Sequence, residues 1–187
     1  MGSQRLFVGT PVPPETARKI SDYRIPTAVD AVRWVKPENY HVTLQFLGET
    51  DDALVPSIVS VLAGVPCPDV VPLTLSGAGA FPTTRRPRVL WIGGAPGDSD
   101  ELGLAAVHEL LGRGLKSIGI ELNTRFTPHV TVAYTRKNAR PERLREVTGN
   151  FIENTQSLRL ECTVPSLALF SSSLTPEGAV YRVLYSR

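Results

Sequence analysis

With 187 residues, 20.3 kDa, 42% hydrophobic and 20% charged side chains, the chain can bury a core and reads as one domain over residues 1–187, which excludes a disordered or fibrous protein. Twenty basic against eighteen acidic side chains leave a net charge of +2, so any polyanion must be held by a local patch rather than by a general excess of charge. No stretch approaches a membrane span, the N-terminus lacks the apolar core of a signal peptide, and Leu6 stands where acylation after Met1-Gly2 needs Ser or Thr. A cytoplasmic location is therefore expected, with Cys67 and Cys162, which lack C-x-x-C spacing, as free thiols.

Strands and helices interleave along the chain. Leu6 to Thr10 reads as a strand, and Pro13-Pro14-Glu15 opens a helix to about Arg24, since proline is tolerated in a first turn. Tyr40 to Leu47 alternates strongly, and Asp51 or Asp52 caps a helix reaching about Ala63. An apolar run from Val70 to Phe81, a basic turn-rich segment from Pro82 to Pro87, a strand from Arg88 to Gly93 and a loop from Gly94 to Asp98 follow. Ser99 or Asp100 starts a long amphipathic helix, with Leu102, Val107, Leu110, Leu111 and Leu115 apolar, that ends near Gly119. Strands are expected around Ile120 to Arg125 and from His129 to Thr135, then a short helix from Pro141. Leu158 to Phe170 and Ala179 to Tyr185 close the chain as strands, with Pro165 marking an edge, a bulge or a break into two.

The chemistry sits in a doubled tetrapeptide, His41-Val42-Thr43-Leu44 and His129-Val130-Thr131-Val132. Side chains alternate along a strand, so His and Thr at i and i+2 share one face. Tyr40, Val42, Leu44 and Phe46 then face a core, as do Val130, Val132 and, by the same alternation, Tyr134. One His-x-Thr is ordinary for a half-buried strand. Two, in a chain with three histidines, arise by chance less than about once in a thousand. They lie nearly half the chain apart, which suggests two similar lobes. His108, on the long helix without such a partner, reads as structural or solvated.

Two imidazoles in one cleft can supply the proton transfers of phosphodiester displacement, one taking a proton from the nucleophile and one giving a proton to the leaving oxygen. Thr43 and Thr131 hydroxyls can hold the non-bridging oxygens. No Cys, Asp or Glu stands at ligand spacing near either motif, so no metal or cofactor is expected. Arg85 and Arg86, beside Arg88, form the densest basic cluster; they suit RNA phosphates and equally suit a solvated loop. Phe126 suits either a stacked base or the core.

Several stretches resemble the RNA 2′,3′-cyclic phosphodiesterases, also called 2′-5′ RNA ligases, of the two-histidine phosphoesterase superfamily. They are Arg5-Leu6-Phe7-Val8, Val32 to Asn39, His41 to Glu49, Phe81-Pro82, Pro87 to Trp91, Phe126 to Val132 and Leu169-Phe170-Ser171-Ser172. The resemblance covers essentially the whole chain, in order. It implies an α+β, bilobal, pseudo-twofold fold, two intertwined lobes whose antiparallel sheets flank a central cleft with helices outside. It also implies hydrolysis of a terminal 2′,3′-cyclic phosphate to a 2′-phosphate, with RNA ends or nucleoside 2′,3′-cyclic phosphates as partners and reversible 2′-5′ joining as a side activity. Relatives commonly carry Arg where this chain has Tyr134; Arg136 and Lys137 are the candidates to replace it. A related enzyme acting on another cyclic or 2′-5′-linked nucleotide, and a non-catalytic RNA-end binding module, remain alternatives. Nothing demands more than a monomer.

Overall fold

The computed structural model describes all residues except Met1, Cys67, 97–102, 123–124, Ser166 and 176–177. The elements are β1 (Ser3–Pro11), α1 (Pro14–Ser21), β2 (Val32–Trp34), β3 (His41–Asp51), α2 (Val55–Gly64), β4 (Val70–Thr83), β5 (Arg86–Pro96), α3 (Leu104–Ser117), β6 (His129–Thr135), α4 (Pro141–Asn154), β7 (Arg159–Pro165), β8 (Ala168–Thr175) and β9 (Gly178–Ser186). All strand pairs are antiparallel. One arm of the sheet runs β3-β1-β8-β9 and the other β6-β5-β4-β7. The arms meet where β3 pairs with β6 through Val42 and Val130, and β2 takes over the same edge of β6 from Ala133 to Thr135.

A repeated order explains the symmetry of these arms. The chain runs β1-α1-β3-α2-β4 and then β5-α3-β6-α4, with β8 as the matching third strand. Each third strand pairs with the first strand of the other half, β4 on β5 and β8 on β1. This is the α+β, pseudo-twofold architecture the resemblance implied, with both motif strands at the centre.

Local chemistry sets the ends of the elements. Prolines occupy the first turns of α1, α2 and α4, where a missing N–H costs nothing. The Asp51 carboxylate accepts from the Ala53 N–H at 2.9 Å, capping the turn that leads into α2. Gly119, at φ +86°, turns the chain out of α3. The helices bury one stripe against the sheet; in α3 this comprises Leu104, Val107, His108, Leu111 and Leu115. Leu6, Val8, Val42, Leu44, Leu90, Ile92, Val130 and Val132 meet them from the strands. Each fully buried Leu or Ile contributes about 1.5–3 kcal/mol.

Several expectations need correction. No strand forms among the described residues of 120–125; Leu122 and Phe126 pack on the core instead. Both edges of β6 are already taken, and Pro128 has no N–H to offer a ladder. The helix from Pro141 is 14 residues long, because Val147, Thr148 and Phe151 give it a buried stripe. The segment 82–87 is largely ladder, with Pro82 opposite Pro87 and Thr83 opposite Arg86. Pro165 ends β7, so Leu158 to Phe170 spans two strands. The expected helix start at Ser99 or Asp100, with Leu102, and the thiol of Cys67 lie outside the described residues.

The largest correction concerns Phe46 and Tyr134, which alternation assigned to the core. Between Val8 and Gly9, β1 advances one residue while β3 advances two, from Gln45 to Thr43. Between Trp91 and Leu90, β5 advances one while β6 advances two, from Thr131 to Ala133. Each motif is thus followed by a β-bulge, so Leu44 with Gln45 and Val132 with Ala133 are buried as consecutive pairs. Beyond each bulge the faces are exchanged. Phe46 is 49% exposed, and Tyr134 is half-buried outside the core cluster.

Gly9 faces the first bulge, where an added Cβ would meet the Val42 carbonyl oxygen at 2.7 Å. Gly9→Ala should destabilise the fold by about 1–3 kcal/mol through overpacking of backbone. Gly149→Ala, in the exposed middle of α4 with nothing within 4 Å of the new Cβ, should stabilise it by up to about 1 kcal/mol. Denaturant titration of both variants checks the pair, and a Gly9→Ala protein as stable as the parent would contradict the packing described.

Candidate active site

The Val42–Val130 pair fixes the geometry of the two motifs. Continuing its antiparallel register sets His41 across from Thr131 and His129 across from Thr43, all four on the face opposite the two buried valines. The fold thus brings together the four residues of the doubled motif, each histidine facing the other motif's threonine. Among the described residues neither threonine hydroxyl has a side-chain hydrogen bond, so both remain available to a ligand.

The histidines are held alike. Nδ1 of His41 donates to the Asn39 carbonyl at 2.7 Å, and Nδ1 of His129 donates to the Thr127 carbonyl at 2.6 Å. A carbonyl can only accept, so each Nδ1 carries the proton and each Nε2 is left to accept a proton or meet a ligand. Asn39 is itself tied down, since its side-chain amide donates to the Ala179 carbonyl of β9 at 3.1 Å.

Aromatic rings wall in both imidazoles. Phe7 stacks on His41 with centroids 4.7 Å apart, Tyr181 meets it edge-on at 5.1 Å, and Phe170 lies 6.1 Å away. Phe81 stands edge-on to His129 at 4.9 Å, with Trp91 at 6.2 Å. Gly79 makes room for the Trp91 indole, which fills the place where a Cβ would stand. Burial pushes His41 down to about 4, against the Asn39 hydrogen bond, and the nearby His129 adds to the lowering. Burial lowers His129 as well, opposed by its bond to Thr127. At neutral pH the free protein therefore holds two neutral imidazoles, and an anion between them would favour protonation of one. Burial, then the neighbouring Tyr134 hydroxyl, push Tyr181 well above the ordinary phenol range, so it stays a neutral donor.

The remaining candidates lie elsewhere. Arg85 sits at the tip of the β4-β5 hairpin against Arg145, Thr148 and Gly149 of α4, and Arg86 is exposed beside it. Phe126 stacks on His108 at 4.5 Å rather than on either motif. His108 is structural: its Nδ1 donates to the Leu44 carbonyl at 2.7 Å, and the Gln45 amide donates to the His108 carbonyl at 2.9 Å. This network satisfies the buried polar Gln45 at the first bulge. Arg136 and Lys137 lie past the end of β6, around a hollow shared with Arg33 and Tyr134. Arg136 already gives its Nε–H to the Val29 carbonyl at 2.7 Å. Phe7, Phe81, Trp91, Phe170 and Tyr181 went unnoticed as site residues because their signal is an aromatic in strand register beside a motif, which needs the strand pairing to be seen. Among the described residues no cluster of three His, Cys, Asp or Glu side chains could hold a metal, and no helix is long and apolar enough to cross a membrane.

Residues 11–91 match the LigT-like phosphoesterase family. The chain is 34% identical to an RNA 2′,3′-cyclic phosphodiesterase of Aquifex aeolicus, the match covering 96% of this chain and 94% of that protein. It is 30% identical to an RNA 2′,3′-cyclic phosphodiesterase of Thermotoga maritima, covering 97% and 93% respectively. The crystal structure of a Thermus thermophilus protein superposes with a TM-score of 0.74 at 25% identity, covering 97% of this chain and 95% of that one.

The low affinity of His41 for protons is directly measurable. An NMR titration of the free protein should give His41 a midpoint of about 4, and inorganic phosphate in the cleft should raise it. The unfolded chain binds more protons than the native state between pH 6.5 and about 4. The stability due to the neutral ring is therefore complete above the ordinary pKa of histidine and is lost as pH falls toward 4. A midpoint near 6.5 in the free protein would show that the ring is not desolvated.

Proposed function

Since this chain belongs to the LigT-like phosphoesterase family of RNA 2′,3′-cyclic phosphodiesterases, we propose that it opens a terminal 2′,3′-cyclic phosphate on RNA to a 2′-phosphate, with His41 and His129 as general acid and base. The observation that carries this reading is the crossed pairing of two His-x-Thr motifs through Val42 and Val130. An anion lying between the strands would have an imidazole and a hydroxyl on each side of it.

In the proposed step, His129 Nε2 removes a proton from water as its oxygen attacks phosphorus, and His41 Nε2–H protonates O3′ as the P–O3′ bond breaks. The phosphate stays on O2′. Thr43 and Thr131 hydroxyls donate to the non-bridging oxygens while charge builds there. The asymmetry of packing supports this order, because His41 lies among three rings and His129 beside two. The more desolvated imidazolium is the stronger acid once protonated, which suits the departing alkoxide. If a 5′-hydroxyl of another RNA replaces water, the same proton movements join the strands through a 2′-5′ bond.

Turnover should persist in EDTA, because no step uses a metal. His41→Ala and His129→Ala should each lower it by roughly a hundredfold to ten-thousandfold, with Thr43→Ala and Thr131→Ala costing less. A substrate with sulfur at O3′ needs little protonation on leaving, so it should rescue His41→Ala and leave His129→Ala impaired. Phosphorus NMR of the product and rates on the two substrates read out the proposal. Near-normal turnover in either histidine variant, or a 3′-phosphate product, would refute it; rescue of His129→Ala alone would exchange the two roles.

A further inference from the structure

Next to His41 lies a cavity of about 250 Å³ lined by Arg33, Lys36, Glu38, Asn39, Tyr134 and Tyr181, among others. It shares a wall with the histidine. Asn39 supplies the carbonyl that holds His41 Nδ1, and Tyr181 stands edge-on to the imidazole. Whatever occupies this cavity is therefore a direct neighbour of whatever occupies the cleft.

Arg33 lines this cavity and, on its other side, the hollow of Arg136 and Lys137. It is carried on β2 opposite Tyr134, and its guanidinium lies over the Tyr134 ring, 5.9 Å from the centroid, and against Gly178 of β9. The group is half-buried yet makes no hydrogen bond or ion pair with any described residue. Other arginines nearby have spent theirs: Arg24 on the Tyr40 hydroxyl and the Val35 carbonyl, Arg136 on Val29, and Arg143 on Asp30, Glu146 and Thr27. A guanidinium stacked on a ring keeps its N–H edge free and flat, the geometry that matches two phosphate oxygens. Exposed Lys36 adds a second cation, against the single carboxylate of Glu38.

We propose that this cavity is a second phosphate subsite, in which Arg33 holds the phosphodiester one nucleotide upstream of the cyclic end, so that the enzyme favours oligonucleotide ends over mononucleotides. The proposal rests on the cyclic phosphodiesterase reading of the adjoining cleft. A mononucleoside 2′,3′-cyclic phosphate has no upstream phosphate and leaves Arg33 unpaired. An oligonucleotide ending in the same cyclic phosphate places an anion within its reach.

The test compares kcat/KM for a mononucleoside 2′,3′-cyclic phosphate and for a short oligoribonucleotide with the same terminal cyclic phosphate, in the parent protein and in Arg33→Ala. Arg33→Ala should lower the oligonucleotide value by about ten- to a hundredfold, the usual worth of a charge-assisted hydrogen-bonded contact. It should leave the mononucleoside value within about threefold, as should be true of any surface change that spares the fold. The salt dependence of the oligonucleotide reaction should become shallower by about one unit of log-log slope, and Arg33→Lys should recover part of the loss. Equal loss on both substrates would overturn the subsite by placing Arg33 on the scissile phosphate, and no loss on either would overturn it outright. A parent protein inactive on both would instead defeat the phosphodiesterase reading beneath it.

Discussion

One backbone contact, Val42 against Val130, holds the two halves of the site in register. Everything proposed for the cleft follows from it, because an antiparallel pair puts each histidine across from the other motif's threonine. A slip of one residue would turn all four side chains toward the core. The contact is guarded on the core side, where both valines are fully buried. On the outer sides, β1 and β5 hold the motif strands through longer ladders. The exchange of third strands then ties each half of the chain to the other half's first strand, so the halves cannot shift independently.

The same packing that positions the imidazoles also withholds their protons. Phe7, Phe170 and Tyr181 on one side, and Phe81 and Trp91 on the other, replace water with rings that cannot solvate a cation. The two backbone carbonyls that accept from Nδ1 offset only part of this cost. For the acid and base roles proposed, a cleft with two neutral imidazoles has the base in the correct state and the acid in the wrong one. In that proposal the missing charge balance would come from a phosphodiester anion, which stabilises an imidazolium far more in these dry walls than it would in water. The proposed acid would thereby be made ready by the ligand it is to act upon.

Much of this was legible in the sequence because it rests on local chemistry. Proline and aspartate marked the helix starts, period-two alternation marked the motif strands, and the doubled His-x-Thr marked the four residues that the sheet brings to one face. Alternation failed at Phe46 and Tyr134, where an extra residue in the ladder reverses the faces. A bulge depends on what the neighbouring strand does, so Leu44-Gln45 and Val132-Ala133 look like ordinary strand from within. The same limit hid Arg33. It lies about a hundred residues from Tyr134 in sequence and meets it because short β2 borrows the edge of β6 that β3 leaves free. The expected strand after Gly119 failed for the complementary reason: its apolar residues were real, but both edges of β6, the strand that follows it, were already taken.

The halves share a repeated plan, and the differences between them are what give the cleft a direction. Each motif strand bulges after its threonine and turns an aromatic residue off the core, Phe46 in one case and Tyr134 in the other. Each of those rings carries an arginine, Arg5 on Phe46 at 4.9 Å and Arg33 on Tyr134 at 5.9 Å. The likeness ends there. Arg5 lies on an open strand face, whereas β2 and β9 close around Arg33, with Gly178 against the guanidinium and Tyr181 reaching from the same strand to His41. A symmetric pair of histidines could accept a phosphodiester in either orientation. On the proposed reading, a cation enclosed at one end would favour the orientation that places a second phosphate there, and that choice would decide which imidazole meets the leaving oxygen. On that reading the asymmetry comes from β2, which lies off the symmetric strand order, and from the residues that β9 presents at the end of its arm, rather than from the motifs they serve.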